Sequence, residues 1–296
     1  MDEVIAEKLD APAPVIGEVA AGEHRIKVRA ALQDDPESPV VVLAPAMGVP
    51  AGYYLKFVAH LHRLGLQVVS YDVRGQGETG PRATRGTRFG YQDFVDDLDG
   101  VLDVVDQVVP ATAPRFALGH SLGGQITMLH TAAHPGRVRG AVLIASGSVN
   151  YRAYPGRLRR YYYNLLGPQA IAALSTLLGC WPGERFGFGG RQATGLMRDW
   201  ARQGRTARWR LSGSDVDYDA ALARLSTPLL TVTVDNDALA PGSAMDDLAG
   251  STPAPRTRRH YSEADAGARL DHFKWARNAG ELATWIDEWI RGVLRR

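Results

Sequence analysis

Ser121 sits in Gly119-His120-Ser121-Leu122-Gly123, and the chemistry this spacing allows is attack by a hydroxyl on a carbonyl. The apolar run before it, Phe116-Ala117-Leu118, reads as a strand ending at Gly119, and a helical pattern of Leu122, Ile126 and Leu129 starts directly after the serine. A strand, a sharp turn and a helix force the serine into strained backbone angles that only small neighbours permit, so the flanking glycines are a steric requirement. The pattern Gly-x-Ser-x-Gly is the nucleophile elbow. It lifts the hydroxyl to the top of a sheet and aims the amide of Leu122, the first of the helix, at whatever the serine attacks. The five residues recur by chance elsewhere; the strand and helix around them give the pattern its weight.

A serine hydroxyl is a poor nucleophile at neutral pH. It needs a base within hydrogen-bond reach and a carboxylate to fix that base's tautomer. In a doubly wound sheet such groups come from loops at the carboxyl ends of the later strands. The loop after Val234 carries Asp235-Asn236-Asp237, and the loop after the last strand carries Asp271-His272-Phe273. The order Ser, Asp, His is the one expected when the nucleophile occupies such an elbow.

The elements that must position these groups follow from apolar patterning. Val15 to Ala20 and His24 to Leu32 read as an antiparallel edge pair, and Val40-Val41-Val42-Leu43-Ala44 and Gln67 to Tyr71 as strands buried on both faces. A helix with Tyr54, Phe57, Val58 and Leu61 on one face lies between the latter two. Phe94 to Val109 is a helix with Leu98, Leu102 and Val105 inward and Asp96, Asp99, Asp103 and Asp106 outward. Further strands are expected over Val138 to Ala145, Leu229 to Val234 and near Thr257 to Tyr261. A helix is expected near Ser243 to Leu248, and a closing helix presents Leu282, Trp285, Ile286, Trp289, Ile290 and Val293. Alternating strand and helix predict an α/β fold with a mostly parallel, doubly wound sheet.

That rhythm breaks after Ser146. The spacing predicts a core of residues 1–146 and 216–296 and a helical cap inserted at 147–215, over the sheet's top edge. The cap holds eleven arginines against Glu184, Asp199 and Asp215, a net charge of +8 in a chain whose total is +2. Tyr162, Trp181 and Trp200 are its candidate substrate contacts.

At 296 residues, 45% hydrophobic and 22% charged, the chain has the composition of a soluble globular protein. The single cysteine, Cys180, excludes an internal disulfide framework and a multi-cysteine zinc site. Met1 to Glu7 is acidic and has no apolar core like that of a signal peptide, and no run is long enough to cross a membrane, so the cytoplasm is the expected compartment.

These motifs resemble the α/β-hydrolase superfamily, in particular its serine-aminopeptidase and monoacylglycerol-lipase-like branch, over most of the chain from about Val40. Asp72-Val73-Arg74-Gly75-Gln76-Gly77-Glu78-Thr79 is similar to that family's Asp-x-Arg-Gly-x-Gly-x-Ser loop, with Thr79 in place of serine. Trp181 to Gly189, with Trp200-Ala201-Arg202 after it, is similar to the cap of one subgroup. The resemblance implies Ser121 as nucleophile, His272 as base and Asp237, four residues before Pro241, as acid, with Asp235 as its rival. It implies no metal or organic cofactor. Pro45-Ala46 replaces the usual His-Gly, so Met47 is assigned by position as the second oxyanion amide beside Leu122. Asp271 stands where glycine is frequent, either tuning the base or capping a helix.

Other patterns weigh less. Gly75-Gln76-Gly77-Glu78-Thr79-Gly80 fits a dinucleotide fingerprint, but Pro81 to Gly86 offers no apolar helical face to hold a pyrophosphate. The aspartates from 96 to 106 read as a solvated face rather than a metal site. His60, His62, His130 and His134 lie on helices away from the active edge, and Cys180 reads as a small buried hydrophobe. Arginine greatly outnumbers lysine throughout, and that general bias is one account of the cap's charge. Attraction of an anionic or amphiphilic acyl donor, such as a carboxylated ester or a carrier-bound thioester, is the other, and no nucleic-acid motif accompanies the charge. The expected activity is hydrolysis of a carboxylic ester through an acyl-enzyme. Acyl transfer or thioester release with the same residues is the alternative, and a non-catalytic receptor on the same fold the third. The expected partner is a small-molecule acyl substrate or an acyl carrier, without nucleic acid or membrane insertion.

Overall fold

The computed structural model describes residues 12–296, so the acidic segment Met1 to Glu7 lies outside the described residues. Eight strands form one sheet, β1 (Val15–Ala21), β2 (His24–Ala31), β3 (Val40–Ala44), β4 (Gln67–Tyr71), β5 (Arg115–His120), β6 (Gly140–Ile144), β9 (Leu229–Val234) and β10 (Arg256–Tyr261). β7 (Cys180–Pro182) and β8 (Arg191–Ala193) form a separate antiparallel pair. The spatial order is β1-β2-β4-β3-β5-β6-β9-β10; β1 and β2 run antiparallel at one edge and all pairs from β4 onward are parallel. This is the α/β architecture that the alternating pattern predicts.

Between the strands lie α1 (Leu55–Arg63), α2 (Tyr91–Val108), α3 (Leu122–Ala133), α4 (Gly167–Leu178), α5 (Thr194–Thr206), α6 (Tyr218–Leu222), α7 (Gly242–Ala249), α8 (Glu263–Ala266) and α9 (Gly280–Leu294). β3 is apolar at every position because each face is covered. On β3, Val40, Val42 and Ala44 pack with Leu98 and Ile126 on one side, while Val41 and Leu43 pack with Phe57 and Ile286 on the other. That two-residue alternation divides the core into two layers. β10 closes the far edge with Arg256, Arg258 and Arg259, charges that discourage further strand pairing.

The chain passes from β3 to β4 on one side and then crosses back through α2 to β5 on the other side of β3, so the strand order reverses there. Crevices at the carboxyl ends of strands beside such a reversal are where open α/β sheets bind ligands. Ser121 follows β5 at this place.

One charged residue departs from the expected solvated stripe of α2. Asp96, Asp103 and Asp106 are exposed and Asp99 is half-buried, but Asp97 faces inward among Phe94, Leu98 and Val101. Arg74 grips it from the β4 loop with two hydrogen bonds, 2.7 and 2.5 Å, and reaches Asp93 at 2.9 Å. Asp72, two residues earlier, accepts from the amides of Ala51 at 2.6 Å and Glu78 at 2.8 Å. The Asp-x-Arg-Gly segment therefore ties the loop after β3 to the loop after β4, and the latter to α2. No helix opens at Gly80; α2 starts at Tyr91, which leaves the Gly-x-Gly-x-x-Gly run without the helix a dinucleotide needs.

The segment 147–215 is helical over α4 and α5, with a π-helical turn at Arg159–Leu166, but it also contains the β7/β8 hairpin, which periodicity does not announce. Strands of three residues joined by the loop 183–190 are too short to show alternation. No helix among the described residues is long and apolar enough to cross a membrane.

Candidate active site

Ser121 stands between the last residue of β5 and the first of α3 with φ 54° and ψ −116°, a conformation rarely adopted by a residue with a side chain. Two close approaches explain its neighbours. A Cβ on Gly119 would strike the backbone of Gly123, and one on Gly123 would strike the carbonyl of Ala44. The helix can start this near the sheet only without those atoms.

His272 lies in the loop after α8, with its Nε2 2.9 Å from Ser121 Oγ. Its Nδ1 is 2.9 Å from each carboxylate oxygen of Asp237, in the loop after β9. Asp237 cannot donate, so Nδ1 carries the proton and Nε2 is free to accept from the serine hydroxyl. The amides of Leu239 and Ala240 also donate to Asp237, at 2.9 and 2.8 Å, and hold the carboxylate in place. Asp237 and His272 are both buried. A hydroxyl, an imidazole and a carboxylate thus stand in hydrogen-bond series, an arrangement that can support acyl transfer.

The rival carboxylate points elsewhere. Asp235 accepts from His260 at 2.9 Å and from the Glu263 amide at 2.8 Å, and these contacts, the Glu263 amide first, hold its carboxyl below the usual range. Asp271 accepts from the amides of Phe273 and Lys274, at 2.9 and 2.8 Å, so it caps the turn that follows His272.

Met47 and Leu122 line the same cavity as Ser121 and His272. The amide of Ala46 is already committed, donating to the Tyr54 hydroxyl at 3.0 Å. The cavity is about 690 Å³ and its walls include Val149, Ile171, Phe188 and Leu239. Its floor holds Gln125, which accepts from Tyr91 at 2.7 Å and donates to the Gly147 carbonyl at 2.6 Å. Burial pushes the Tyr91 phenol well above its ordinary range.

Of the three cap residues expected to touch substrate, Tyr162 and Trp200 line the cavity and Trp181 does not. Trp181 is buried behind it, stacked on Phe186 at 4.9 Å, with its indole N–H donating to the Phe188 carbonyl at 2.9 Å. It buttresses a wall residue instead of forming the wall. Arg159 brings a guanidinium to the cavity and donates to the Ala238 carbonyl. Of the other cap arginines, Arg191 pairs with Glu184 and Arg202 with Asp199.

At the far end of α3 from Ser121, Asp99, His130 and His134 bring ligand-capable atoms within 4.8 Å of one another. Arg137, 3.2 Å from the same Asp99 oxygen, already supplies that carboxylate with a positive charge. His60 and His62 lie on α1, with His62 bonded to the Leu32 carbonyl at 3.0 Å. Cys180 is buried, in the β7 strand.

Residues 35–170 match the family model described as Hydrolase_4, serine aminopeptidase S33. A monoacylglycerol lipase of Mycolicibacterium smegmatis is 36% identical over 107 residues, covering 35% of this chain and 36% of the relative. Lysophospholipase L2 of Escherichia coli K12 is 35% identical over 102 residues, 33% of this chain and 29% of the relative. The chain thus matches about a third of the length of these relatives. The crystal structure of the Paleococcus ferrophilus monoacylglycerol lipase superposes with a TM-score of 0.61 at 17% identity, covering 90% of this chain and 99% of that one, a likeness of fold.

Proposed function

Because the chain belongs to the α/β-hydrolase superfamily, we propose that it is a serine hydrolase cleaving a carboxylic ester with an apolar acyl group. The observation that carries this reading is the unbroken series Ser121, His272, Asp237, with both gaps at 2.9 Å, opening on an apolar cavity. Ser121 attacks the ester carbonyl while His272 Nε2 takes its proton, and Asp237 stabilises the imidazolium. The amides of Leu122 and Met47 receive the oxyanion, each contributing about 3 kcal/mol to the transition state. Collapse breaks the bond to the alkoxy oxygen, which leaves with the proton from His272. Water, deprotonated by the same nitrogen, then attacks the acyl-enzyme, releasing the carboxylate and restoring the serine.

The segment 147–215 acts in this reading as a cap over the site, with Tyr162 and Trp200 against the acyl chain. Arg159 offers a partner for an anionic or strongly polar head on the alcohol side. The relatives named for monoacylglycerol and lysophospholipid make single-chain acyl esters of a polar alcohol the first substrates to try. The test is a series of p-nitrophenyl esters of increasing chain length, assayed for the native protein and Ser121→Ala, with and without an added amine or alcohol. Turnover by native protein alone supports the reading; equal turnover by the alanine variant defeats it. Product formed only with the added nucleophile assigns acyl transfer in place of hydrolysis.

A further inference from the structure

Tyr54 and His120 are wholly buried polar residues that do not line the cavity, yet they join the loops that form it. The Ala46 amide lies 3.0 Å from the Tyr54 hydroxyl, that hydroxyl 2.7 Å from His120 Nδ1, and His120 Nε2 2.9 Å from the His272 carbonyl. We propose that this buried chain of three hydrogen bonds is a positioning device that sets the oxyanion loop, the nucleophile and the base at fixed separations. The inference rests on the triad reading above and names Tyr54 and His120 as positioning residues within it.

Counting protons gives the chain one direction. The Ala46 N–H can only donate, so the Tyr54 oxygen accepts from it and sends its own proton to His120 Nδ1. Nδ1 is then an acceptor, and the single proton of a neutral ring sits on Nε2, where it is donated to the His272 carbonyl. The Trp275 indole nitrogen, 3.4 Å from that same Nε2, is therefore an edge contact and not a fourth link. A protonated ring would carry a hydrogen on Nδ1, reverse the link to Tyr54 and leave the phenolic O–H without its acceptor. Burial, aided by the neighbouring His272, holds the His120 pKa well below its ordinary value, so the ring stays neutral beside a base whose charge must change.

The sequence separations show what the chain spans. Its links cover 8, 66 and 152 residues, from the loop after β3, through the end of β5, to the loop bearing the base. Ala46 precedes the assigned oxyanion amide and His120 precedes the nucleophile. His272 is held at its carbonyl while its ring works. The three rings of His120, Tyr54 and Trp275 pack mutually at 5.1 to 6.2 Å between centroids, leaving the links a rigid setting. A fixed backbone at three loops is the condition for a near-attack geometry, in which small misplacements are costly.

Tyr54→Phe deletes one oxygen and keeps the ring packing, so it isolates the device from the fold. With p-nitrophenyl butyrate, Tyr54→Phe and His120→Leu are expected to lose about ten- to hundredfold in kcat while KM stays within about twofold. The rate of phosphonylation by a fluorophosphonate should fall in the same proportion. His120→Gln, which retains a donor near the Nε2 position, should recover part of the loss relative to His120→Leu. If Tyr54→Phe lowers the unfolding midpoint but keeps native kcat while Ser121→Ala is inactive, the residues are only structural and the inference is overturned alone. If Ser121→Ala keeps native turnover, the triad reading falls, and the positioning device with it. Should His120→Leu fail to fold, Tyr54→Phe decides.

Discussion

His272 Nδ1 lies 2.9 Å from both carboxylate oxygens of Asp237, while Asp235, two residues earlier in the same loop, is taken by His260. The two aspartates therefore have different jobs. Asp237→Asn should lower kcat for an activated ester by about 10³- to 10⁴-fold, because an amide presents a donor to Nδ1 and favours the wrong tautomer. Asp235→Asn should leave kcat unchanged. Steady-state kinetics of both variants check this, and equal losses would contradict it.

The Arg74–Asp97 pair is buried beneath α2 with two short hydrogen bonds. Removing one partner strands the other charge away from water. Asp97→Ala should cost about 3 to 5 kcal/mol in urea unfolding. Asp96→Ala, on the exposed side of the same helix turn, should stay within about 0.5 kcal/mol of native.

Acid should act first on the buried histidines, opposed by Asp97. Burial pushes the Asp97 carboxyl up to about 6 in spite of Arg74, so that the folded state takes up that proton more readily than the unfolded one. Burial lowers the pKa of His120 and of His130 from the ordinary 6.5, the latter in spite of its bond to Asp99. Folded rings then bind protons more weakly than unfolded ones, so their contribution is complete above pH 6.5 and declines as the pH falls below it. The limit is about 1.4 kcal/mol per pH unit for each ring. The Asp99 carboxyl, held down to about 2 chiefly by the His130 hydrogen bond, adds its own loss only at much lower pH. With the Asp97 carboxyl removed as Asp97→Asn, the urea midpoint should drop between pH 6.5 and 5.5 and stay nearly level between 7.5 and 6.5; a midpoint level across the whole range in that variant would contradict the neutral buried rings.

The two cap tryptophans should separate cleanly. Trp200→Ala enlarges the cavity and is expected to move the optimum of the p-nitrophenyl series toward longer or branched acyl groups. Trp181→Ala empties a buried site behind Phe188 and should cost about 3 to 5 kcal/mol of stability. A shifted chain-length optimum for Trp181→Ala with unchanged stability would reverse these assignments.

The sheet was legible because its central strands are mostly apolar runs with covered faces; the expected bounds of β3, β4 and β9 agree with the structure. The sequence around Ser121 was equally informative, since the clash of any Cβ on Gly119 or Gly123 leaves glycine as the only choice. Position favoured Asp237, four residues before Pro241, but left Asp235 as its rival, because both lie in one loop and only the fold shows which faces His272. Asp97 carried a faint signal: it follows Phe94 by three residues and so falls on the apolar face, but its partner Arg74 belongs to another loop. Tyr54 reads correctly as a core residue, while the use of its hydroxyl depends on His120, 66 residues away. The β7/β8 hairpin and the withdrawal of Trp181 behind the cavity wall are tertiary outcomes that no local pattern records.

The central claim is that Ser121 is acylated during turnover. Native protein mixed with p-nitrophenyl butyrate and quenched in acid within the turnover time should yield, after trypsin, peptide 116–137 heavier by one butyryl group, with the added mass on Ser121. The same peptide from Ser121→Ala should carry none. Rapid ester cleavage by native protein with an acyl group on another residue, or undiminished cleavage by Ser121→Ala, would contradict the account.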